Sequence, residues 1–150
     1  MSETKDLISA AGKRARELFE SKQYNCAEAS FLALNEVFCG GIEPQTAARI
    51  ATGLGGGLGA SGGTCGALTG CVLAIGLIAD SDPEHLRKKT VYPLASVLQE
   101  RFQKQFGSCC CRDLIRDKGD ERRAYCRGIT SVAATLCAEI LIENTNKEIE

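Results

Sequence analysis

The chain has 150 residues, 44% of them hydrophobic and 25% charged, with a formal net charge of −1. A chain of this length buries roughly 70% of its unfolded surface and supports one domain without disulfide staples. Acids and bases are interspersed and no basic patch stands out, which argues against a nucleic-acid partner.

Residues 1–20 place Leu7, Ile8, Ala11, Ala15, Leu18 and Phe19 at helical spacing, with Lys13, Arg14, Arg16 and Glu17 between them. This predicts an amphipathic helix. The same stretch lacks the basic start, apolar run and cleavage site of a secretory signal, so a cytoplasmic location is expected. A second helix is predicted over 25–38, with Asn25 as its N-cap and Phe31, Leu34 and Phe38 on one stripe. Cys39-Gly40-Gly41 stops it, and Pro44 opens a short helix reaching Thr52. Residues 53–63 then hold seven glycines in eleven positions. Thr64 follows as the expected cap of an apolar helix over 65–79. Its Gly66, Gly70 and Ala74 repeat every four residues, so one ridge lets another backbone come close. This longest apolar stretch is 15 residues, too short to cross a membrane. A buried central helix is expected, and no membrane insertion.

Ser81-Asp82-Pro83 opens a further helix patterned by Leu94, Val97, Leu98, Arg101, Phe102 and Phe106, kinked near Pro93 and stopped by Gly107. Cys109, Cys110 and Cys111 lead into a helical turn over 112–115 and a polar loop over 117–122. The last helix is predicted over 123–142, with Ile129, Val132, Ala133, Leu136 and Ile140 inward and residues 144–150 loose. The fold class is therefore all-α, a single-domain bundle of about five to seven helices around a buried glycine-rich central helix. The small-residue ridge suits burial within the domain or a homodimer, and a homodimer is the expected state.

Nine cysteines, an odd number, argue against full structural pairing. In a reducing compartment they point instead to metal binding or catalysis. Four sit where helices begin: Cys26 after Asn25, Cys65 after Thr64, Cys111 before Arg112, and Cys126 near Arg122, Arg123 and Arg127. Unpaired N–H groups and the positive end of the helix dipole favour thiolate, so each of these thiols is expected to ionise more readily than usual. Cys39, Cys71 and Cys137 read as small hydrophobes. Cys137 shares a stripe with Cys126, but eleven residues of helix separate them too far for direct bonding. Adjacent cysteines bond only as a strained vicinal disulfide, so one of Cys109, Cys110 and Cys111 is expected to point elsewhere.

Other motifs are weaker. Residues 57–62 match G-x-G-x-x-G, yet a helix precedes them and no βαβ unit surrounds them, so packing and cysteine access are preferred to nucleotide binding. His85, the one histidine, falls on a polar face and reads as a surface residue. No C-x-x-C-H occurs and no usable C-x-x-C pair, which disfavours covalent haem, a thioredoxin motif and zinc ribbons.

The chain resembles the small redox-active proteins named for the signature C…GCAxxG…C…C, also written CGAxxG. The match runs through Tyr24-Asn25-Cys26-Ala27-Glu28-Ala29, Gly55-Gly56-Gly57, Cys65-Gly66-Ala67-Leu68-Thr69-Gly70, Phe106-Gly107-Ser108, Cys111-Arg112-Asp113-Leu114 and Cys126. It covers nearly the whole chain. The resemblance carries the four signature cysteines onto Cys26, Cys65, Cys111 and Cys126. It implies an all-helical cytoplasmic redox domain, frequent in anaerobic microbes and often encoded near transporter genes. Related domains that occur with electron-transfer haem proteins use such cysteines for an iron–sulfur centre. This chain adds Cys39, Cys71, Cys109, Cys110 and Cys137.

Two redox chemistries follow. In one, the four thiolates hold an iron–sulfur cluster or another thiolate-bound metal and pass single electrons to a redox partner that the sequence does not name. In the other, an oxidoreductase, Cys65 attacks a disulfide or oxidised substrate and Cys26 resolves it. Outside redox chemistry stand a zinc- or Cu(I)-binding trafficking module serving a transporter, and a structural helical adaptor. The metal or cluster site is preferred, because dithiol exchange needs only two of the four cysteines.

Overall fold

Apolar stripes at helical spacing become the helices of the bundle. In the computed structural model, which describes residues 2–79 and 82–149, they are α1 (Ser2–Glu20), α2 (Cys26–Val37), α3 (Pro44–Ala51), α4 (Gly66–Ile78), α5 (Pro83–His85), α6 (Tyr92–Phe106), α7 (Cys111–Ile115) and α8 (Arg122–Ile149). Among the described residues no strand forms, and a single antiparallel bridge joins Thr64 to Cys110. The all-α reading therefore holds.

α8 is the spine, packing on α1, α2, α4 and α6. It is longer than the sequence suggests: the helix continues through 144–149, which the sequence reading leaves loose. Residues Gly119–Thr145 also have the length and hydropathy of a membrane span, which a search for unbroken apolar runs overlooks. In the fold, Ile129, Ala133, Ala134, Cys137 and Ile140 on this stretch are buried, as in a core helix. Arg123 anchors its start, donating to the Phe19 carbonyl at 2.7 Å and lying 4.6 Å over the Phe19 ring.

Local chemistry explains the helix ends. Asn25 caps α2 as expected, and Glu28 completes the box: Asn25 Oδ1 accepts from Glu28 N–H, and Glu28 Oε1 from Asn25 N–H, both at 2.8 Å. After α2 the left-handed position falls to Cys39 (φ 53°), not to a glycine. Gly40 serves close approach instead, since a Cβ there would come 2.8 Å from Leu77 Cδ2. The cap of α4 is Cys65 rather than Thr64, which is drawn into the bridge with Cys110. Ser81 lies outside the described residues; Asp82 caps the short turn α5. A π-helical segment, Leu86–Val91, then precedes α6, with Tyr92 N–H bonded five residues back to the Arg87 carbonyl. The irregular segment ends two residues ahead of Pro93, whose missing N–H cannot sustain the α-helical ladder.

α4 sits between α2, α6 and α8. Its small ridge faces α2: a Cβ on Gly70 would come 2.5 Å from the Ala27 carbonyl oxygen and collide with Ser30 Oγ. The ridge is thus consumed inside the domain, which removes that ground for a homodimer.

Candidate metal centre

Four separate segments bring one signature cysteine each to the same place. Cys26 is the first residue of α2, Cys65 caps α4, Cys111 opens α7 and Cys126 is one turn into α8. Together they line a single small cavity, completed by Leu114, Ile115, Ile129 and Thr130. Ile129 and Thr130 follow Cys126 by three and four residues, a spacing that already puts them on its face in the sequence.

Glycines make the convergence sterically feasible. A Cβ on Gly66 would stand 2.6 Å from Cys26 Sγ, so the glycine after Cys65 is the gap that the Cys26 sulfur fills. The glycine-rich loop supplies a second such gap. At Gly57 (φ 73°) a Cβ would lie 2.5 Å from Gly63 N and 2.9 Å from Cys111 Cβ. The loop is wound left-handed, with Leu58 (φ 68°) and Ala60 (φ 63°) sharing the conformation, and is closed by bonds such as Gly62 N–H to Gly56 O (3.0 Å) and Gly63 N–H to Gly57 O (2.9 Å). Its far end pairs with the three-cysteine run: Cys65 N–H donates to Cys109 O (2.8 Å), and Cys111 N–H to Gly63 O (2.6 Å). These bonds tie Cys111 to Cys65.

The neighbours of Cys111 turn away. Cys110 Sγ donates to the Gly62 carbonyl at 3.1 Å, and the Cys109 thiol points to the Gln99 carbonyl at 3.9 Å. Cys39 is exposed at the end of α2. Cys71 and Cys137 are fully buried neighbours between α4 and α8, the Cys137 thiol 3.6 Å from the Cys71 carbonyl; the sequence stripe does not show that pairing. His85 is bonded to Asp82 at 2.8 Å on the surface, away from the cysteines.

At Cys65, Cys111 and Cys126 thiol ionisation runs opposite to expectation. Burial pushes the Cys65 thiol up to about 12, and the neighbouring Cys26 sulfur adds to the shift. Burial raises Cys111 and Cys126 too, with Cys26 contributing to both and Arg122 opposing. Desolvation outweighs the helix dipole, whose field weakens within a turn. The mutual charge effects have a simple meaning: ionised together, these thiolates repel, and a cation between them would relieve it.

A pH dependence follows for the metal-free, reduced protein. Above an ordinary value of 9.0 the unfolded chain has lost the Cys65 proton, while the folded chain keeps it up to about 12. Stability therefore falls as pH rises through that window, by about 1.4 kcal/mol per pH unit from this thiol alone. Urea unfolding at pH 9.5 and 10.5 should show wild type losing about that much more than Cys65→Ser. Equal losses would mean the thiol is not held protonated.

The chemistry of the donor set fits a metal. Four sulfurs in an apolar pocket suit soft, thiophilic centres. A lone tetrahedral ion with metal–sulfur bonds of about 2.3 Å would hold its sulfurs about 3.8 Å apart. Among the described residues, no three of these sulfurs lie within 4.8 Å of one another. Four thiolates around one cavity can serve a single metal ion or an iron–sulfur cluster.

Fold and site together define a helical protein in which four cysteines converge on one cavity. The chain belongs to the family described as "putative redox-active protein (C_GCAxxG_C_C)", whose family model matches residues 24–140 and so spans all four cysteines. No curated protein and no solved structure matches it.

Proposed function

We propose that this protein carries electrons through an iron–sulfur centre held by Cys26, Cys65, Cys111 and Cys126. The observation that carries this reading is the convergence of exactly one cysteine from each of four distant segments on one apolar cavity. Such a centre supplies one-electron transfer when bound. The chain's own residues do the rest. Leu114, Ile115 and Ile129 keep water from the sulfurs, and Arg122 and Arg123 offset the negative charge of the thiolates. As it stands the cavity measures about 20 Å³, room for one water, so a cluster displaces a wall. The five-residue α7 is the wall with the least helix behind it.

Disulfide exchange at Cys65 and Cys26 is less favoured. Cys65 is 6% exposed, which leaves an attacking sulfur without an approach path. The reducing cytoplasm is the compartment that suits free thiols of this kind.

The test is protein purified without oxygen, with a visible spectrum and iron, zinc, copper and acid-labile sulfide counted per chain. Iron with matching sulfide and broad visible absorption is the expected result. Zinc or copper without sulfide would replace this reading with the metal-handling module. Colourless, metal-free protein would return the choice to thiol exchange or a structural role.

A further inference from the structure

Cys111 has a second side. Beyond the sulfur cavity, the same residue borders an open cleft of about 440 Å³. Arg112, Arg116 and Arg122 line that cleft, and no carboxylate does. Three cations around one concavity are a marked segregation in a chain of net charge −1. Their charge is only partly used. Arg116 pairs with Asp113 at 2.6 Å, whereas among the described residues neither Arg112 nor Arg122 forms an ion pair. Arg112 is held in place without being neutralised: it donates to the Ser61 carbonyl at 2.9 Å and lies across Gly62, where a Cβ would stand 3.1 Å from its Nε.

The other wall is the glycine-rich loop, whose Gly56, Ala60, Ser61 and Gly62 bring only small side chains to the cleft. Arg122 opens the 28-residue α8 with Arg123 beside it, two positive charges at the positive end of a long helix. That placement costs stability, and Asp120 and Glu121, which precede it, do not line the cleft. An anion in the cleft would offset the cost.

We propose that this cleft binds a tetrahedral oxyanion, free or as a group on a larger ligand, through Arg112, Arg116 and Arg122 at the outer face of Cys111. Guanidinium forks match such oxygens in geometry and charge. Arg122 is shared with the thiols of Cys111 and Cys126, which it also faces, whereas Arg112 and Arg116 serve the cleft whatever the thiols hold.

Calorimetric titration of the full chain at low ionic strength tests it, using sodium sulfate and inorganic phosphate, with sodium chloride at equal ionic strength as reference. Saturable binding of both oxyanions is expected. Arg122→Gln should weaken it about tenfold, the scale of one lost charge-assisted hydrogen bond. Arg49→Gln, an exposed arginine on α3, removes the same charge elsewhere and should change affinity less than about twofold. A titration no different from chloride overturns the proposal, and so does equal weakening by the two substitutions. A phenyl phosphate arm separates the sources: tighter binding than inorganic phosphate assigns the cleft to an esterified ligand, and weaker binding to the free ion.

Discussion

If the four cysteines hold the proposed centre, Cys65→Ser should abolish the iron and sulfide of the anaerobically purified protein, and Cys26→Ser and Cys126→Ser should do the same. Serine keeps the size and suits the cap position of α4, so the fold survives while one of four thiolate donors is gone. Losing a mere supporting partner of a metal ligand costs about 10–100-fold in affinity, and losing the ligand costs more. Iron per chain should fall to less than about a tenth of wild type. Cys39→Ser, on the exposed end of α2, should keep its full complement. Cys110→Ser should too, because a serine hydroxyl can replace the thiol as donor to the Gly62 carbonyl. Metal analysis alongside urea unfolding separates loss of the centre from loss of the fold. Undiminished iron in Cys65→Ser would remove the centre from these residues.

Gly66→Ala should damage both stability and site. The added methyl meets Cys26 Sγ at 2.6 Å and the Leu54 carbonyl at 2.9 Å. The second of these is backbone and cannot swing aside. Overpacking of this kind costs about 1–3 kcal/mol, against the helix preference for alanine of about 1 kcal/mol. A net loss of stability is expected, together with depleted iron as the Cys26 sulfur is pushed away. Gly76→Ala is the counterpart: on the same helix, nothing lies within 4 Å of the new methyl, and stability should rise by about 0.5–1 kcal/mol. If Gly66→Ala were as stable as Gly76→Ala, the close contact with α2 would not exist.

Much of this is written locally in the chain. Asn25 before Cys26, Pro44 in a first turn and Gly107 in a left-handed stop (φ 82°) are short-range signals, and each does in the fold what its chemistry suggests. The identity of the four cysteines was legible for the same reason, because each lies near a helix start. What could not be read depends on contacts between distant residues. Thr64 loses the cap because Cys110, far along the chain, pairs with it. The left-handed conformation of Leu58 and Ala60 belongs to a loop packed against Cys111 and Arg112, not to the preferences of leucine or alanine. Thiol ionisation is not legible locally, because capping is local and burial is not: helix placement suggests a lowered value for Cys65, and the surrounding core decides the opposite.

The spread of the four cysteines along the chain sets a clock on maturation. Cys126 leaves the ribosome 100 residues after Cys26. At about 5–20 residues per second, the first ligand waits roughly 5–20 s for the last. The N-terminal half carries only two of the four converging cysteines, so the proposed centre could load only after Cys126 has emerged. Through that interval Cys26 and Cys65 are thiols of a chain that has not yet gathered all four, before the fold can hold them apart from other partners.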